Sequence, residues 1–144
     1  MAFGESTTPL IENTAREIVD AAYQVHVALG PGLLESVYSS AMSIELGMRG
    51  IQHTVNELVP VTYKGIRIET GFRADLIVED KVIVELKSVE AVAPVHAKQL
   101  QTYLKLTGKQ LGLLINFNVR LIKHGITRIV NGLPEANPDI KFLE

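Results

Sequence analysis

The stretch Phe72–Ser88, FRADLIVEDKVIVELKS, decides the reading of this chain. Two apolar runs, Leu76–Val78 and Val82–Val84, flank Glu79-Asp80-Lys81, which reads as a tight turn between two strands. Near-continuous apolar runs mark strands covered on both faces, central in a sheet. Side chains along a strand alternate, so Glu85 and Lys87 share one face while Leu86 points to the other. A three-residue connection sets Asp75 directly across from Glu85, with Cβ atoms roughly 5 Å apart. Two carboxylates so placed can share a divalent cation, and a Lys beside them can hold a substrate anion or a water. The plain alternative is a solvated hairpin end carrying a surface Lys–Glu pair.

Upstream, Thr8-Pro9 can start a helix. The positions Ile11, Ala15, Ile18, Val19, Ala22, His26 and Leu29 keep one apolar stripe along it, and Gly30-Pro31-Gly32 stops it. A second helix is expected from Leu33 to Met48, with Leu34, Val37, Ala41, Ile44 and Met48 as its core positions. Glu35 in its first turn suits the helix dipole whatever else it does. Val55 to Tyr63 reads as a strand, with Pro60 pointing to an edge or a bulge. Lys64-Gly65 turns into a partner strand, Ile66 to Glu69, ahead of the central pair.

Downstream, Pro94 opens a third helix that ends near Gly108. His96, Gln99 and Tyr103 share a face of it, as either a polar solvated stripe or a set of hydrogen-bonding groups for phosphates or bases. LGLLIN, Leu111 to Asn116, reads as a short buried strand. Val119–Lys123 and Ile126–Val130 are expected to form a last hairpin around His124-Gly125. The order α-α-β-β-β-β-α-β-β describes an α/β or α+β domain with a mixed sheet. Residues 1–9 read as a loose lead-in, 10–131 as one domain and 132–144 as a tail.

The 144 residues are 47% hydrophobic and 21% charged, with net charge -2 and no Cys. This excludes a thiolate zinc site and disulfides, and argues against a protein that coats nucleic acid through bulk positive charge. A local basic cleft stays compatible with it. No apolar run is long enough to span a membrane and no signal pattern opens the chain, so a cytoplasmic protein is expected. The four His lack zinc-ligand spacing, and no phosphate-binding glycine loop is present.

Gly32-x-x-Glu35-x-x-Tyr38 matches the signature of the bacterial and archaeal GxxExxY proteins. VHVALGPGLLESVY, FRADLIVEDKVIVELKSV, HAKQLQTYLKLTG, GLLINFNV and GITRIV follow in that family's order, so the resemblance spans Ile11 to Asn131. The family sits within the PD-(D/E)XK nuclease superfamily. The resemblance implies a restriction-endonuclease-like core, αβββαβ, with a mixed central sheet flanked by helices. It implies a Mg²⁺-dependent phosphodiesterase acting on DNA rather than RNA, with Mn²⁺ as a possible substitute. Asp75, Glu85 and Glu35 would bind the cation, with the backbone of Leu86 as a further ligand, and Lys87 would complete the catalytic set. Gln99 and Tyr103 look like the QxxxY motif of RecB-like nucleases and would position substrate together with Tyr38 and His26. Without the resemblance, His26 reads as a core histidine. Arg73-Ala74 stands where the superfamily name has Pro. A homodimer is expected, with the apolar C-terminal strands as its surface, and no membrane partner. The alternative function is a nucleic-acid-binding or regulatory module that keeps the fold without cutting.

Overall fold

The computed structural model describes residues 7–131. Most of the lead-in, and the whole tail, expected from the sequence therefore lie outside the described residues. Helix α1, Pro9–Leu29, starts where the Thr8 hydroxyl accepts the Ile11 N–H at 3.2 Å. It ends at Gly30, whose positive φ of 76° lets its N–H close back on His26. Helix α2, Glu35–Met48, follows. Strands β1 (His53–Tyr63), β2 (Ile66–Val78) and β3 (Val82–Lys87) form an antiparallel meander. Helix α3, Pro94–Thr107, crosses over to β4 (Leu111–Asn116), which lies parallel to β3, and β5 (Ile126–Val130) closes the sheet antiparallel to β4. The order β1-β2-β3-β4-β5 is a five-stranded mixed sheet. The run α2-β1-β2-β3-α3-β4 is the expected αβββαβ core.

Two apolar layers cover the sheet. On one face α1 and α2 bury Ile18, Ala22, Met42 and Leu46 against Leu76, Val84, Leu86, Leu113 and Ile115. On the other, α3 sets Leu100 and Leu104 against Ala74, Ile77, Ile83 and Leu114. The centre of the sheet is thus covered on both sides, which is what the unbroken apolar runs of β3 and β4 require.

Four details depart from the sequence reading. Ile66–Glu69 is not a separate strand but the outer half of β2, because the ladder with β1 runs on through Tyr63–Ile66. The pairing shifts register between Val59 and Val61, around the expected irregularity at Pro60. Gly71 faces this point, where a Cβ would stand 2.3 Å from the Val59 carbonyl oxygen. No strand forms over Val119–Lys123: Ile122–Gly125 is a 3₁₀ turn, and β5 pairs with β4 instead of a hairpin neighbour. The apolar side chains of β5 turn inward, Ile129 beneath α3 with Ile126 and Val130 against the α1 layer, so these strands offer no apolar outer face for a dimer.

The fourth concerns α2. Its buried residues are Tyr38, Met42 and Leu46, whereas Leu34, Val37, Ile44 and Met48 are exposed. Both sets keep helical spacing, so periodicity alone could not choose between them. Leu29 is likewise exposed at the end of α1.

Candidate active site

The β2–β3 ladder contains only three pairs, Val78–Val82, Ile77–Ile83 and Leu76–Val84. The next pair in register is Asp75 and Glu85, and there the side chains replace the ladder. The Asp75 N–H donates to Glu85 Oε2 at 3.0 Å, and the Leu86 N–H donates to Asp75 Oδ2 at 2.8 Å. Each carboxylate is thereby fixed by one oxygen while its second oxygen makes no hydrogen bond among the described residues. On the other side of β2, β1 breaks its ladder at Asn56, opposite Asp75, and Asn56 takes a positive φ of 58°. Asn tolerates that conformation better than most residues. Arg73 braces the kink by donating to the Asn56 carbonyl at 2.9 Å.

Asp75 lines a cavity of about 330 Å³ with Glu35, Ser36, Ser39, Ser40, Val55, Asn56 and Leu86. Glu35 reaches it from the first turn of α2, and its Oε2 accepts the Ser88 N–H at 3.4 Å. The Ser88 hydroxyl in turn donates to the Leu33 carbonyl at 2.5 Å, tying the end of β3 to the start of α2. On the α3 side of the sheet, Tyr103 stacks on Phe72 with centroids 3.8 Å apart. Gln99 lies one turn earlier and is exposed.

Charge in this corner is poorly compensated. Burial first, then the Asp75 carboxylate, pushes the Glu85 carboxyl up to about 7, with the Asp75 N–H and Lys87 opposing and Glu35 adding to the rise. Burial also raises Asp75, against the Leu86 N–H and Lys87. The Tyr103 phenol is raised by burial and then by Glu85 and Asp75, so it stays a neutral donor. No ion pair among the described residues includes Asp75 or Glu85. Two anchored acids with free oxygens and no paired protein cation fit a divalent ion, which lowers the cost of ionising both. No group of three or more His, Cys, Asp or Glu side chains converges for a metal among the described residues. That donor set suits Mg²⁺, which takes one or two carboxylates and completes its octahedron with water and phosphate oxygens.

The structure therefore brings together Asp75, Glu85, Lys87, Glu35, Leu86 and Tyr103, while Gln99 is exposed on α3 one turn before Tyr103. It does not bring Tyr38 or His26 to them. Tyr38 is fully buried, stacks on Phe117 at 4.3 Å, and spends its hydroxyl on the Gly30 carbonyl and the Leu33 N–H. This pins the Gly30–Leu34 loop and so the approach of Glu35. His26 is buried beside Phe117, with Nε2 2.7 Å from the Val119 carbonyl. Both serve the packing of α1 and α2, which corrects the expectation that they face substrate. His96 caps α3, its Nδ1 accepting the Ala93 N–H. The sequence reading missed Asn56 and the row Ser36, Ser39, Ser40 on the cavity side of α2. Their i, i+3, i+4 spacing was legible as a polar stripe.

A family model described as the PD-(D/E)XK nuclease superfamily matches residues 12–129. The chain belongs to that superfamily. A solved structure described as "Crystal structure of SSO0001" is similar to this PD-(D/E)XK protein, with TM-score 0.50 and 24% identity over 76% of this chain and 55% of that one. The chain thus spans little more than half the length of that protein, and a likeness at this identity shows the shared fold. No curated protein matches. No helix among the described residues is long and apolar enough to cross a membrane.

Proposed function

We propose that this PD-(D/E)XK protein is a metal-dependent nuclease of the GxxExxY type, cutting DNA with Mg²⁺ or Mn²⁺. One observation carries the reading: Asp75 and Glu85 each hold one oxygen on a backbone N–H across the open β2–β3 end and leave the other free. Asp75 and Glu85 would hold the cation, with the Leu86 carbonyl as a further oxygen donor and Glu35 acting through water. When bound, the cation polarises the scissile phosphate and offsets the charge that develops on it. Lys87 shares the Glu85 face and orients the attacking water, its ammonium stabilising the same developing charge. Gln99 and the neutral Tyr103 phenol donate to the phosphate backbone from α3. The Ser36, Ser39 and Ser40 hydroxyls give the opposite wall further donors without charge.

The test is cleavage of labelled single-stranded, double-stranded and branched DNA, and of RNA, with Mg²⁺ or Mn²⁺. The parent runs beside a Glu85→Ala, Lys87→Ala double variant. Cutting by the parent alone is expected, on DNA. Equal cutting by the double variant contradicts the assigned residues. DNA binding without cutting, metal-independent and steep in salt, selects the non-catalytic module instead.

A further inference from the structure

Helix α2 has three faces of similar width. One, through Tyr38, Met42 and Leu46, packs into the core. A second carries Ser36, Ser39 and Ser40 to the cavity. The third carries Val37, Ala41, Ile44 and Met48, with Leu34 at the N-cap in line with them; Ala41 is partly buried against the core layer, while Leu34 is 74% exposed, Val37 39%, Ile44 64% and Met48 80%. Three large exposed apolar side chains on the 14-residue helix, with Leu34 at its N-cap, form one row, not scattered surface residues.

The spacing of this row is 3-4-3-4, the heptad interval of a seam between two helices. Its size order runs large, branched, small, branched, large, centred on Ala41. Such a row reads nearly the same from either end, which is the condition for an isologous contact between identical surfaces. A two-fold axis at Ala41 sets Leu34 of one copy near Met48 of the other and Val37 near Ile44. Ala41 lets the two helix axes approach at the crossing, and the flanking Ser40 and Gly47 add no bulk. Of the two charged flanks, Glu45 is held by Arg49 at 3.0 Å, and Arg49 also binds Glu17 and Asp20 of α1; Glu35 lies at the Leu34 end, opposite the Met48 end of the second copy. A second copy would thus meet no unpaired like charge along the seam. Glu35 and Glu45 beside the row disfavour an anionic lipid surface.

We infer that the outer face of α2 is a homodimer interface, closed by an antiparallel α2–α2 contact between two copies of this chain. A single helix pair about 21 Å long lies near the lower bound of specific interfaces, ~1,000 Å² in total, so association is weak and reversible, in the micromolar range. The seam residues Ile44 and Met48 lie outside the acidic cavity, and the test needs neither metal nor nucleic acid. Its failure therefore leaves the nuclease reading standing, and the reverse also holds.

The experiment is sedimentation equilibrium of the full chain from about 5 to 500 µM, spanning that range. Ile44→Lys, Met48→Lys and Ile66→Lys are run beside the parent, Ile66 being 71% exposed at the far end of the β1–β2 hairpin. A reversible dimer is expected, weakened about tenfold or more by Ile44→Lys and by Met48→Lys and unchanged by Ile66→Lys. Because the chain has no Cys, oxidation of mixed Leu34→Cys and Met48→Cys chains gives the orientation. The mixed pair should cross-link in preference to either chain with itself. A parent that stays monomeric throughout overturns the inference. So does a dimer that survives both Lys variants, or cross-linking that favours the like pairs.

Discussion

The β2–β3 hairpin has two ends built on opposite rules. At the closed end the turn is tied by hydrogen bonds, including the Lys81 N–H to the Val78 carbonyl at 2.9 Å. Glu79 and Asp80 both adopt positive φ in a turn whose twist suits the flanking strands. The Glu79 N–H reaches the Gln52 carbonyl at 2.8 Å, and Lys109 clamps Asp80 at 2.9 Å. The three ladder pairs beside it are apolar and covered on both faces. At the open end, where Asp75 and Glu85 lie ten residues apart in the chain, the ladder stops and a buried and a half-buried carboxylate bridge the strands. The comparison teaches that the closed end supplies stability, while the open end holds two acids together at a cost in stability that a bound cation would offset.

The largest expected effect lies at the open end and concerns chemistry alone. Lys87→Ala should lower DNA cleavage by ~10³ while leaving the thermal transition in place, measured by single-turnover cleavage and calorimetry. The converse belongs to the closed end. Ile83→Ala, in the layer beneath α3, should cost about 2–4 kcal/mol in urea unfolding, with Mg²⁺ affinity of the folded protein unchanged.

The third prediction concerns pH. Glu85 holds its proton up to about 7 in the folded chain, against 4.5 as an ordinary carboxyl. The folded state therefore binds more protons than the unfolded one between those values. Metal-free stability should fall as pH rises from 4.5 to 7, by on the order of 2 kcal/mol. Glu85→Gln keeps the acceptor for the Asp75 N–H and removes the titration, so it should flatten that slope and stabilise the metal-free protein at pH 8. Chemical denaturation across pH in a chelator checks both. A variant less stable than the parent at pH 8 would mean that the open end is not strained by its charge.

The smallest effect sharpens the geometry. Asn56→Gly keeps the positive φ opposite Asp75 and should bind Mg²⁺ nearly as the parent does. Asn56→Val favours an extended residue there and should weaken binding about tenfold. Equal affinities in the two variants would remove the kink from the account.

The two ends also differ in how far the sequence disclosed them. The closed end was legible because it is local: apolar runs on either side of Glu79-Asp80-Lys81 leave few other ways to fold. The juxtaposition of Asp75 and Glu85 was legible for the same reason, through strand alternation and a short turn. The broken ladder between them was not, since no residue type announces that a carboxylate will take the place of a carbonyl. Asn56 depends on β1 lying beside β2, a pairing decided 19 residues away in register. For α2 the difficulty was physical ambiguity. Leu34, Val37, Ala41, Ile44 and Met48 satisfy a core stripe as well as Tyr38, Met42 and Leu46 do, and the choice is made by the position of α1 and the sheet. Tyr38 and His26 were expected at substrate only from the family resemblance, whereas the carbonyls of Gly30 and Val119 use their polar atoms inside the core, where His26's place in the apolar stripe had already put it. Strand pairing at β5 was misjudged because the 3₁₀ turn at Ile122–Gly125 takes residues that alternate well enough for a strand.

The central claim is that the open end is a divalent-cation site made by Asp75 and Glu85, and the most direct measurement is isothermal titration of the metal-free protein with Mn²⁺ at pH 8. The account predicts one ion bound per chain in the parent, with binding lost in Asp75→Asn and in Glu85→Gln. Binding of equal affinity in both variants, or no binding by the parent, would contradict it.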